Sequence, residues 1–168
     1  MTISIKESGM NFGPFPEKKL FPIETSPLAK SLGEGLKLTE FVLLRDFANK
    51  PQEAWFIEAK SSAPKETTIF VEEIRQKFTN SVQLTIAACL KRHTGSEEYL
   101  SADFLDLDLE NCGIKCILVI NSFPKEWMVN LQDALNKAMN SLAKTLGLKP
   151  GSVIVINDEM ARARNLIS

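Results

Sequence analysis

Glu58-Ala59-Lys60 closes an apolar run, Ala54-Trp55-Phe56-Ile57, and Glu40 stands directly ahead of another, Phe41-Val42-Leu43-Leu44. Carboxylates and a lysine at the ends of such runs are costly to bury, so they need one another, a metal or water. If both runs are strands, side chains two apart share a face. Glu58 then lies beside Lys60, while Trp55, Ile57 and Ala59 project into the opposite layer. Asn49, Lys50 and Pro51 make a turn between the runs, so the two strands pair as a hairpin. In a hairpin the start of the first strand lies beside the end of the second. Glu40 thereby comes near Glu58 and Lys60 although they are 18 and 20 positions away. Two carboxylates converging with a lysine make a hard-cation site whose lysine can steady a developing negative charge. The competing reading is an edge strand that shows Glu58 and Lys60 to solvent, with Glu40 unrelated to them.

The elements that must hold these residues follow from periodicity and punctuation. Phe41–Leu44 is a continuous apolar run and reads as a strand buried on both faces. Val71, Ile74, Phe78, Val82, Thr85 and Cys89 recur at steps of three and four and form the clearest amphipathic helix. Ser26 followed by Pro27 starts a short helix that runs to about Gly33 or Gly35. Ile117–Ile120 and Ser152–Ile156 are buried strands on either side of a long helix that opens at Pro124, carries Leu131, Leu135, Ala138 and Leu142, and ends near Gly147. Asp158–Leu166 is a terminal helix. Leu105, Leu107 and Leu109 alternate with acids, which predicts an edge strand with one wet face. The fold class is therefore α/β, a single-domain mixed β-sheet flanked by helices on both sides, with a βαβ crossover late in the chain. Thr2–Lys6 reads as a strand or arm, and the glycines and prolines up to Pro22 as an irregular lead-in. This divides the chain into a lead-in of residues 1–25 and an α/β domain of residues 26–168.

In these residues the sequence resembles the PD-(D/E)XK phosphodiesterase superfamily. That superfamily carries an acid near one strand of a hairpin and E/D-x-K on the next, commonly with a glutamate on the preceding helix. Glu40 matches the first acid, Glu58 and Lys60 the E-x-K, and Glu34, or less well Glu24, the helical carboxylate. Gln76 or Lys77 matches an extra polar residue on the helix after the hairpin. The resemblance covers about residues 26–121 and implies an αβββαβ core, with the last helix and strand as elaboration. It implies Mg²⁺ or Mn²⁺ held by Glu40, Glu58 and Glu34, hydrolysis of DNA more than RNA, and Lys60 as the catalytic cation. The chain departs from the pattern at two positions: Glu40 stands where an aspartate is usual, and Thr39 where a proline precedes it. A second E-x-K, Glu17-Lys18-Lys19, follows Pro16 without strand flanks and has no acid upstream.

Composition narrows the partners. The 168 residues carry a formal net charge of -1, so no overall basic field draws the chain to nucleic acid. A grip on DNA must come from a local patch, a metal ion, a protein partner or a second copy of the chain. Gln76, Lys77, Lys91 and Arg92 are the candidate phosphate contacts. His93 is the only histidine and ends a helix beside Lys91 and Arg92, where it reads as a surface residue. Cys89, Cys112 and Cys116 lack the spacing of a zinc set and read as free thiols of a reducing compartment. Trp55 and Trp127 read as core anchors, and Asp103, Asp106, Asp108 and Glu110 as a solvated face. Gly33-Glu34-Gly35 lacks the Lys-Ser/Thr of a phosphate loop. No run is apolar enough to span a bilayer, and no leader pattern opens the chain, so the expectation is a cytoplasmic protein. Two rivals to the enzyme remain: a PD-(D/E)XK-fold binding or regulatory subunit without activity, and a plain α/β interaction module.

Overall fold

A computed structural model describes all residues, Met1–Ser168. Five strands form a mixed sheet in the order β3 (Leu20–Phe21), β4 (Phe41–Arg45), β5 (Glu53–Lys60), β6 (Gly113–Ile120) and β7 (Val153–Asn157). The first three are antiparallel and the last three parallel. The expected hairpin is β4–β5, in register from Phe41 opposite Ile57 to Arg45 opposite Glu53. The expected βαβ crossover is β6–α5–β7, with α5 at Lys125–Thr145. β5 is the central strand, which removes the reading of an edge strand open to solvent.

Each face of the sheet carries its own core. Val42, Leu44, Phe56 and Leu118 pack under α1 (Pro27–Ser31), α2 (Thr68–Cys89), α4 (Ala102–Leu105) and α5. Helix α2 presents Ile74, Phe78 and Val82 to this layer, and α5 presents Leu131, Leu135 and Met139. On the other face Phe41, Leu43, Trp55, Ile57, Ala59, Ile117 and Val119 pack against a hairpin of β1 (Thr2–Glu7) and β2 (Met10–Pro16), and against α6 (Asp158–Ala163) with Leu166 and Ile167. The short helix α3 (Ser96–Tyr99) follows α2. The alternation along β5 thus places Glu58 with the helical layer and Trp55, Ile57 and Ala59 with the hairpin layer, as two-residue periodicity requires.

Three local readings change. The segment after Thr2–Lys6 is a second strand rather than an irregular lead-in. Met10, Phe12 and Phe15 of β2 are buried on the main sheet. Leu105, Leu107 and Leu109 do not form an edge strand. Ala102–Leu105 is a helical turn, and the Asp108 carboxylate then accepts from the backbone N–H groups of Glu110 and Asn111. That side chain offers the backbone a turn in place of a ladder, which alternation alone does not reveal. Trp127 is not a core anchor. It is 56% exposed near the start of α5, with its ring edge-on to Phe123 at 6.0 Å, and it borders a groove that also includes Ala63, Pro64 and Lys65. No helix is long and apolar enough to cross a membrane.

Candidate active site

Glu58 is the focus of the site. Its position in the middle of the sheet and its alternation with Ile57 and Ala59 bury it completely, at 0% exposure. The Glu40 N–H donates to the Ile57 carbonyl at 3.0 Å, one residue out of step with the Phe41–Ile57 pairing, and this holds Glu40 at the head of β4, close enough to Glu58 for their charges to act on each other. Lys60, two residues beyond Glu58, places its Nζ 3.2 Å from Glu58 Oε1 and 3.7 Å from Glu73 Oε1 on α2. Its side chain keeps 26% exposure, so one side of the ammonium faces solvent.

Helix α2 supplies the second ammonium. Lys77 is 8% exposed, with its Nζ 2.9 Å from Glu58 Oε1 and 3.6 Å from Glu24 Oε1. It lies on a buried row of the helix, Ile74–Lys77–Ser81–Leu84–Ala88, in which it is the one charged residue. This row lies beside the stripe of Val71, Ile74, Phe78, Val82, Thr85 and Cys89 expected from the sequence, and it widens the buried face of the helix to include Lys77 and Ser81. Glu24 sits in the tight turn ahead of α1. That turn is fixed by buried Ile23 and by Ser26, whose Oγ donates to the Ile23 carbonyl at 2.7 Å and accepts from the Ala29 N–H at 3.1 Å. The tip of the β1–β2 hairpin closes the other side. Ser8 Oγ donates to the Ala59 carbonyl at 3.1 Å, and Asn121 Nδ2 donates to the Ser8 carbonyl at 3.3 Å. Gly9 makes the close approach possible: it has φ +76°, and a Cβ there would lie 2.9 Å from Asn121 Nδ2. The tip brings the Glu7 carboxylate near enough to act on Glu40.

The electrostatics of this cluster are those of excess negative charge held out of water. Burial, first of all, and then a side-chain hydrogen bond with Glu24 and the charges of Glu58, Glu24 and Glu7 push the Glu40 carboxyl up to about 8. At neutral pH Glu40 therefore keeps its proton, as a buried carboxyl beside other carboxylates does. Burial also pushes the Glu58 carboxyl above the ordinary range, with Lys77 and Lys60 holding it back. Burial works against the Lys77 ammonium, but Glu58, Glu24 and Glu40 outweigh it and hold the amine above its usual value. Neither ammonium is aligned for a good hydrogen bond to Glu58, and its buried Oε2 has no partner at all.

Of the residues picked out in the sequence, the structure brings together Glu40, Glu58, Lys60 and Lys77. Glu34 lies exposed in the loop after α1, and it is Glu24 that reaches the cluster. Gln76 points away and donates to Glu72 Oε1 at 3.2 Å. Lys91 and Arg92 lie beyond the far end of α2, 14 or more residues from Lys77, or about 21 Å along the helix axis at 1.5 Å per residue. They form no part of the site. Glu7 and Glu73 went unnoticed in the sequence, because only the hairpin packing and the helix–strand contact bring them near. Comparison with protein families, with curated proteins and with solved structures yields no match.

The donor set is of the kind a hard divalent cation takes: carboxylate oxygens, one group held protonated at neutral pH and one oxygen buried without a partner. As arranged here, no three carboxylate, imidazole or thiol side chains are set to hold a metal ion. Lys77 stands between Glu58 and Glu24 instead.

Proposed function

We propose that this chain is a metal-dependent phosphodiesterase of the PD-(D/E)XK kind that hydrolyses nucleic acid, with DNA preferred over RNA. The observation that carries this reading is Glu58: a carboxylate with no exposure on the central strand, paired with Lys60 and near a second carboxyl that burial and neighbouring acids hold protonated at neutral pH. Structural ion pairs are rarely built this way, since removing charges from water costs more than a surface pair returns. Clusters of perturbed titrating groups collect at functional sites.

Glu58, Glu40 and Glu24 are the residues that would hold Mg²⁺ or Mn²⁺. Such an ion, when bound, activates a water for attack and neutralises charge on the scissile phosphate. Glu40 would join Glu58 and Glu24 in holding the ion only once its own proton is lost. Lys60 is steered by Glu58 and Glu73 and keeps one side open to solvent. Its ammonium meets a phosphate oxygen or orients the attacking water, and its charge counts most where charge builds up in the transition state. Glu58 fixes the lysine and would also ligate the ion, which accounts for the two lying two residues apart on one strand.

A second reading, a PD-(D/E)XK-fold binding or regulatory subunit without activity, draws on Lys77, which already neutralises Glu58 without any metal. Cleavage separates the two. Wild-type protein with Mn²⁺ at low salt, where phosphate contacts are strongest, is expected to cut linear or single-stranded DNA. Lys60→Ala is expected to lose on the order of 10²-fold in rate while still binding Mn²⁺. A folded wild type that binds Mn²⁺ and DNA without cutting either strand supports the subunit instead.

A further inference from the structure

Lys77 is more than a neighbour of the acids. Its Nζ lies 2.9 Å from Glu58 and 3.6 Å from Glu24, so one ammonium bridges two carboxylates contributed by different elements. The backbone cannot carry it out of the way, because Ile74 and Phe78 are both fully buried and lock that face of α2 against the sheet. The side chain alone is free to move: a flexible four-carbon stem ending in a point charge. Its exit is past Glu24, whose side chain is 43% exposed, into solvent. Glu58 Oε2 still has no partner while the ammonium is in place, so the lysine satisfies the buried carboxylate only in part.

We propose that Lys77 is the resident counter-ion of this site, standing between Glu58 and Glu24 and competing with the divalent cation for those carboxylates. This rests on the metal-site reading above and adds regulation to it. With Lys77 inserted, the buried charge on Glu58 is tolerated and the protein folds without metal. Cation binding requires the ammonium to leave both carboxylates and swing out past Glu24 into solvent, so Lys77 lowers metal affinity and sets a threshold concentration for loading.

The test is calorimetric titration with Mn²⁺ of wild type, Lys77→Met and Lys77→Arg, together with melting of each protein in chelator and in millimolar Mn²⁺. Lys77→Met is expected to bind Mn²⁺ about tenfold or more tightly than wild type, since it removes a like charge from the site. It should also melt lower in chelator and gain more from Mn²⁺ than wild type does. Lys77→Arg keeps the charge and should bind no more tightly than wild type. If Lys77→Met unfolds in chelator, recovery of the fold on adding Mn²⁺ supports the proposal, and failure to recover overturns it. Equal or weaker Mn²⁺ binding by a folded Lys77→Met, with wild type binding normally, overturns the counter-ion role alone. No Mn²⁺ binding by either folded protein removes the metal-site reading, and the proposal falls with it.

Discussion

Ala59→Asp puts a carboxylate one residue from Glu58, on the same strand and at nearly the same depth, but facing the other way. Ala59 is 1% exposed in the apolar layer that also holds Ile57, Val119 and Phe41. The cheapest state of the new side chain is protonated. Holding an aspartate neutral at pH 7 costs about 4 kcal/mol, from 1.36 kcal/mol for each unit between pH 7 and an ordinary value near 3.9. Overpacking and an unpartnered carboxyl add roughly 2–4 kcal/mol. The sum, about 6–8 kcal/mol, rivals the whole stability of an ordinary domain, about 5–15 kcal/mol. The variant should be largely unfolded or melt far below wild type at pH 7. Its sign with pH is opposite to that of a salt-bridged aspartate. The folded-state value is raised, so the protonation penalty grows as pH rises above about 4 and fades as pH falls toward it. Urea unfolding followed by circular dichroism at pH 7 and pH 4.5 reads both effects. A midpoint within about 0.5 kcal/mol of wild type at pH 7 would be that of a surface change. Ala59 would then face solvent, the strand register would be off by one, and the Glu58–Lys60 site would lose its basis.

Two further outcomes follow from the same geometry. Glu40 has a folded-state value of about 8 against an ordinary 4.5, so its contribution to stability is fully present below 4.5 and lost as pH rises through about 8. Melting in chelator should fall from pH 5.5 to 8.5, less steeply in Glu40→Gln, and identical slopes for the two proteins would refute the retained proton. Burial pushes the thiols of Cys89 up to about 11 and Cys116 up to about 12. Neither should react with a thiol reagent at pH 8 until urea unfolds the chain, and rapid labelling of both in the native protein would contradict the packing of the helical layer.

Much of the site was legible because strands have a strict period. Once Glu58 was placed on a strand, its company with Lys60 and the burial of Ile57 and Ala59 followed, and the turn at Asn49–Pro51 brought Glu40 alongside. What could not be read was depth. Alternation says that Glu58 leaves one face, not that α2 covers that face and buries it at 0% exposure. Lys77 was legible as a polar residue on the right helix, yet its role required knowing how that helix is rotated over the sheet. Glu24 and Glu34 flank the same short helix, and only the turn fixed by Ser26 and Ile23 decides which reaches inward. Glu7 arrives through packing between residues 51 positions apart, Ser8 on Ala59. The region of Leu105–Leu109 misled because a leucine–acid alternation suits a strand in pattern, whereas the local hydrogen bonds of Asp108 favour a turn.

The central claim is that Glu58, Glu40 and Glu24 form a cation site on this fold, and calorimetric titration with Mn²⁺ tests it most directly. Wild-type protein, shown to be folded by its melting transition, is expected to bind Mn²⁺ with one dominant site at or below millimolar concentration and to release protons as Glu40 gives up its own. Glu58→Gln, which keeps the shape and removes the charge, is expected to remain folded and to lose that binding. Absence of binding by a folded wild type at millimolar Mn²⁺, or equal binding by Glu58→Gln, would contradict the account.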